Sequence, residues 1–152
     1  MMMSQTEPHW KLFAVISGVY IKSRRITEEH LKPYKMTWPQ FGALFNLTEQ
    51  DNITQAQLSE KLLADPNTTM VLCNSMERKK WITRNRDLTD KRVNKIVLTD
   101  KGRQVFQEAY PKVLQEYKIF TEAIPEPQIS TILPILSKLY MIIEHRYVEV
   151  KK

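Results

Sequence analysis

At 152 residues the chain is expected to be one compact domain of ordinary size. With 42% hydrophobic and 26% charged residues and only three glycines, it suits a globular, mainly helical protein and excludes a disordered or fibrous one. The formal charge of +6 favours polyanionic partners, nucleic acid or an anionic membrane surface, but many basic proteins only carry a solvated Lys/Arg surface, so the position of the charge must decide.

From Glu7 to about Leu31, Trp10, Phe13, Ile16 and Tyr20 recur at helical spacing, which predicts one long helix. Pro33 interrupts it, because proline disfavours the helical conformation in the residue before it. Thr37 as N-cap with Gln40 three residues on, and Met36 opposite Phe41, start a second helix that runs to about Thr48. The same grammar recurs at Ile53-Thr54-Gln55-Ala56-Gln57-Leu58 and opens a short third helix ending near Ala64. Asp65-Pro66 then starts a fourth, to about Lys80, with Asp as N-cap and proline at the first helical position. After Lys80 the period changes to the alternation of strands: Ile82 to Arg86 and Asn94 to Leu98 flank Asp87 to Val93 and read as a hairpin. Thr99 caps a fifth helix running through Asp100, Lys101 and Gly102 toward about Thr121. Pro125 and Pro127 break the chain. A last helix carries Ile129, Ile132, Leu136, Leu139, Ile143 and Tyr147, and Pro134 should bend it near its start unless it falls in the first turn. The expected fold class is mainly α (α+β), with about six helices and a two-stranded β-hairpin.

Two tightly joined helices, the third and fourth, have the form of a helix-turn-helix. Thr69, Leu72, Cys73 and Met76 fall on the core face of the fourth, so its outer face holds Asn67, Thr68, Val71, Asn74, Ser75 and Arg78. Arg78, Lys79, Lys80, Arg84, Arg86, Lys91, Arg92 and Lys95 cluster at the end of that helix and on the hairpin, against only Asp87 and Asp90. A polar helix face beside an Arg-rich hairpin can serve two grooves, with base edges read in the major groove and Arg entering the minor groove. The candidate reading residues are therefore Pro66, Asn67, Thr68, Val71, Asn74 and Arg78, with Thr54, Gln55, Arg84, Arg86, Asp90, Lys91, Arg92 and Lys95 as support and wing. A solvated charged hairpin beside a helix that docks a protein partner is the alternative, and it would show no salt-sensitive DNA binding.

Asp90-Lys91-Arg92 followed by Leu98-Thr99-Asp100-Lys101-Gly102 resembles the D-x-R wing and L-T-x-x-G helix start of the MarR family of bacterial transcriptional regulators. Thr37-Trp38-Pro39-Gln40-Phe41 and Thr54-Gln55-Ala56-Gln57-Leu58 resemble the openings of that family's second and third helices, and the likeness covers about residues 10 to 150. It implies a winged helix-turn-helix homodimer held by its terminal helices, which binds a palindromic DNA operator and represses transcription until an effector or oxidant weakens binding. On this reading residues 1–35 and 104–152 are dimerisation helices, 36–103 the DNA-binding lobe, Arg92 the wing-tip residue in the minor groove, and Asp90 its orienting acid, although Asp90 also reads as an ordinary turn acid. Val71 stands where members often carry a polar or basic reader, and Trp81 where a glycine commonly precedes the wing. The stripe Ile129, Ile132, Leu136, Leu139 and Ile143 independently suggests a dimer, whose reading helices would sit roughly 34 Å apart, one DNA turn.

A small aromatic or anionic effector is expected where the long helices meet the DNA-binding lobe, near Trp10, Phe13, Tyr20 and Phe41, although aromatics at this spacing are more often core. Cys73 is the only cysteine, which leaves no disulfide or cysteine-based zinc site within one chain. It falls on the core face of the fourth helix, so a redox role is not expected. His9, His30 and His145 lack metal-ligand spacing, so no metal or other cofactor is expected. No phosphate loop, nucleophile elbow or H-E-x-x-H motif is present, and catalysis is not expected. With no signal-like or membrane-spanning stretch, the expected location is a bacterial or archaeal cytosol, at the nucleoid and not at a membrane.

Overall fold

The computed structural model describes residues 8–86 and 94–150. The chain divides into two units, Met1–Leu114 and Gln115–Lys152. In the first, helix α1 (Pro8–Leu31) buries only Thr27 and Leu31, both near its end. Pro33 closes it through a single 3-10 turn, Lys32–Tyr34, and Lys35 leaves that turn in the left-handed region at φ 51°. Helix α2 (Trp38–Glu49) begins with the expected capping box. Gln40 N–H donates to Thr37 Oγ1, and Thr37 N–H to Gln40 Oε1 at 3.1 Å.

Strand β1 (Ile53–Thr54) leads directly into α3 (Gln55–Leu62), whose capping box pairs Thr54 Oγ1 with Gln57 N–H at 3.1 Å and Gln57 Oε1 with Thr54 N–H at 2.9 Å. The helix ends at Leu63, left-handed at φ 51°, slightly before the expected Ala64. Asp65 then caps α4 (Pro66–Arg78) by accepting the Thr68 N–H at 2.9 Å. Thr69, Cys73 and Met76 are fully buried, as their spacing predicts, whereas Leu72 is half-buried.

The hairpin forms from β2 (Ile82–Arg86) and β3 (Asn94–Leu98), with Ile82 opposite Leu98 and Arg84 opposite Ile96. The hairpin has its two expected strands, and β1 adds a third by pairing antiparallel to β3, Ile53 opposite Ile96, giving a three-stranded sheet in the order β1-β3-β2. Two residues are too few to show an alternating pattern, so the added strand follows from Ile53 seeking the buried face beside Ile96. Asp51 helps fix it: one carboxylate oxygen accepts the N–H of Asn52 and, at 2.9 Å, that of Leu98 on β3.

Helix α5 (Asp100–Glu122) runs through Pro111 across the boundary of the two units, and α6 (Glu126–Val150) occupies the second. Pro134 lies inside α6 and beyond its first turn, where the missing N–H removes one helical hydrogen bond. The first unit's core joins Leu44, Leu47, Ile53, Leu58, Met76, Ile82 and Ile96 to an aromatic series between α2 and α5. Phe41 and Phe106 stand 5.4 Å apart, Phe106 and Tyr110 5.3 Å.

Candidate nucleic-acid interface

Helix α4 is built to keep one face bare. Its inner face is committed to the core through Thr69, Cys73 and Met76, which leaves Pro66, Asn67, Thr68, Val71, Asn74 and Arg78 exposed. Val71 is 64% exposed, and it suits an apolar contact such as a thymine methyl group. Ser75, grouped with this face by spacing, instead turns toward α2, where its hydroxyl accepts from Gln40 Nε2 at 3.0 Å. A concavity of about 500 Å³ lined by Val71, Asn74, Glu77 and Arg78 opens on the bare face.

The start of α4 is held in two ways. Gln55 Nε2 on α3 donates to the Pro66 carbonyl at 3.3 Å, which joins the two helices of the motif. Asp65 binds the Thr68 backbone and hydroxyl, and these hydrogen bonds hold its carboxyl below the usual carboxylate range. Thr54 is engaged in its own cap. The far end of α4 is anchored by Lys79, whose ammonium donates to Gln40 Oε1 at 2.8 Å and to the Lys35 carbonyl, and lies 4.4 Å from the centre of the Trp81 ring. Burial lowers its pKa from the usual lysine value. Gln40 is itself buried, so one carboxamide ties together the cap of α2, Ser75 and Lys79.

Of the predicted wing residues, Arg86 is exposed at the end of β2 and Lys95 half-buried on β3, whereas Asp90, Lys91 and Arg92 lie outside the described residues. Arg84 is not splayed toward solvent. Its Nη1 pairs with Glu77 at 2.6 Å and its Nη2 donates to Asn74 Oδ1 at 2.8 Å, so it clips β2 onto α4. Glu77 went unnoticed in the sequence because the acidic charge of one helix turn does not reveal a partner across a strand.

The junction before the wing turns at a residue that the sequence did not single out. The residue in the left-handed conformation is Lys80, φ 61°, and not Trp81, which is buried at 4% exposure. The need for a flexible backbone therefore falls one position earlier, while the indole fills core space. Trp81 N–H donates back to the Met76 carbonyl at 3.0 Å and Trp81 carbonyl accepts the Thr99 N–H at 3.0 Å, so the angle of β2 is fixed from both sides.

The four aromatics proposed for an effector pocket are not drawn together in the single chain. Phe41 belongs to the aromatic core, while Trp10, Phe13 and Tyr20 are exposed on α1. A second cavity, of about 290 Å³, is lined instead by Tyr34, Lys35, Lys79, Trp81, Lys101 and Val105. Cys73 is fully buried, and burial pushes its thiol pKa up, away from the reactive thiolate.

A helix-turn-helix carrying a bare polar face, with a basic hairpin clipped beside it, defines the winged helix-turn-helix class of DNA-binding proteins. Residues 36–93 match the model of the MarR family. The HTH-type transcriptional regulator YsmB of Bacillus subtilis is 31% identical over 111 residues, which span 73% of this chain and 76% of that one. The chain belongs to the MarR family of transcriptional regulators. Its fold is that of a MarR protein from Peptoclostridium difficile, with a TM-score of 0.87 at 19% identity over 99% of this chain and 97% of that one. It is also similar to a mutant MarR from E. coli complexed with operator DNA, with a TM-score of 0.79 at 24% identity over 85% and 93% of the two chains.

Proposed function

We propose that this regulator acts as a homodimer that binds a pseudo-palindromic operator and represses transcription until a small molecule or stress signal releases it. The observation that carries the reading is the outer face of α4: five side chains beyond Pro66, namely Asn67, Thr68, Val71, Asn74 and Arg78, stand exposed where a major groove would meet them. Arg86, Lys95 and the wing residues Lys91 and Arg92 supply the phosphate and minor-groove contacts, with Asp90 orienting Arg92. Residues 36–103 thus form the DNA-binding lobe, and no role in catalysis is assigned to it.

The dimer rests on two apolar surfaces, each considered by itself. No residue of α6 is buried, and Ile132, Leu136, Tyr140, Ile143 and Tyr147 line it exposed. Helix α1 leaves Trp10, Phe13, Val19 and Tyr20 exposed as well. Apolar area on this scale marks an interaction surface. Residues 1–35 and 104–152 would supply it, and Trp10, Phe13 and Tyr20 would line an effector pocket only once a second copy covers them.

Mobility-shift titration over a range of salt concentrations tests the reading. Binding should weaken steeply as salt rises and fall on Arg92→Ala, while Leu136→Glu should yield monomers in sedimentation and lose DNA affinity with them. DNA binding that is absent or insensitive to salt would overturn the proposal.

A further inference from the structure

We infer that Arg84 is a positioning residue that sets the base preference of Asn74, and not a residue that grips phosphate. The inference rests on the reading of α4 as the helix in the major groove. Arg84 spends its guanidinium inward: one arm on the Glu77 carboxylate at 2.6 Å, the other on Asn74 Oδ1 at 2.8 Å, with its side chain only 22% exposed. The carboxylate offsets the positive charge that would draw Arg84 to a phosphate. A charged donor is also stronger than a neutral one, so it fixes the rotation of the Asn74 carboxamide.

That fixation has a chemical consequence. An unrestrained asparagine reads adenine with both of its groups, Oδ1 accepting from the base's exocyclic amine and Nδ2 donating to N7. With Oδ1 engaged by Arg84, Asn74 offers the Nδ2 hydrogens, a donor. Guanine, with acceptors at both O6 and N7, suits a donor best, and cytosine, which presents an amine, suits it worst. Position 74 therefore selects guanine over adenine and rejects cytosine, and the selectivity resides in the clip between β2 and α4. Glu77 belongs to the same device, because it holds the arginine in place.

Competitive titrations test this on duplexes carrying each of the four bases at every position of a site selected from a randomised library. Asn74→Ala should flatten discrimination at one base pair by about tenfold, the worth of a specific polar contact. Arg84→Gln and Glu77→Gln should shift the preference at the same position from guanine toward adenine, each with an unchanged salt slope, and Arg84→Gln combined with Asn74→Ala should be as flat there as Asn74→Ala alone. If Arg84→Gln weakens every duplex equally and lowers the salt slope by about one, Arg84 is a phosphate contact and the inference is overturned. If Asn74→Ala flattens a position while Arg84→Gln and Glu77→Gln leave its base preference unchanged, the inference falls and the reading helix stands. If Asn74→Ala changes no position, the reading of α4 at that residue falls, and the inference with it. Melting temperatures check each variant, and Glu77→Gln, isosteric and on a half-exposed side chain, keeps the test decisive should Arg84→Gln fail to fold.

Discussion

Replacing Gly102 by alanine probes the joint between the wing and α5. A Cβ at that position would lie 2.0 Å from the Trp81 carbonyl oxygen and 2.8 Å from its carbon, so the backbones must part by about 1 Å to reach the 3.0 Å that real Cβ atoms respect. Both sides of the contact are backbone, which leaves no flexible side chain to yield. Overpacking of this kind costs about 1–3 kcal/mol, and here the upper end applies. Parting also strains the Thr99 N–H donated to the Trp81 carbonyl and the Thr99 hydroxyl donated to the Lys80 carbonyl at 2.7 Å. Strained but not lost, these bonds cost about 1 kcal/mol, the low end of what an unpaired buried acceptor would cost. Alanine's better helix propensity returns about 1 kcal/mol, for a net loss of about 3 kcal/mol. At roughly 2–4 °C per kcal/mol for a chain of this size, Tm should fall by about 6–12 °C in thermal unfolding followed by circular dichroism at equal protein concentration. A Tm within about 2 °C of the wild type would refute the close-approach argument.

Lys79→Met retains the aliphatic stem over Trp81 but removes the donor shared by Gln40 and the Lys35 carbonyl; urea denaturation should register a loss of about 1–2 kcal/mol with little change in m-value. The Asp65 carboxylate is held below its usual range by its bonds to Thr68, so the stability it confers is complete above that range and disappears as pH falls through the lowered value. Acid titration of helicity should therefore show a step in the wild type that Asp65→Asn lacks. Cys73, buried and with its pKa pushed up, should resist a thiol-specific disulfide reagent in the folded protein and react promptly in denaturant; fast labelling under native conditions would count against its placement in the core.

What the sequence disclosed was local. Thr37 with Gln40, Thr54 with Gln57, and Asp65 with Thr68 each act across three residues, and all three caps formed as their spacing predicts. The burial of Thr69, Cys73 and Met76 follows from one helical period. What stayed hidden acts across distance. Gln40 reaches Ser75 and Lys79, Asp51 reaches Leu98, and Arg84 crosses from a strand to Asn74 and Glu77, none with a spacing that a periodic pattern encodes. For the same reason Arg84 read as part of a basic wing, since charge in a sequence carries no direction. The left-handed turn before the wing falls at Lys80, beside Trp81, and only backbone angles reveal it.

Selection of binding sites from a randomised duplex library by the wild-type protein tests the central claim most directly. The enriched sequence should be two-fold symmetric, its half-sites about 10 base pairs apart centre to centre, and bound at least about a thousandfold more tightly than random duplex. Enrichment of no sequence, or of a single asymmetric site with no repeated half, would contradict it.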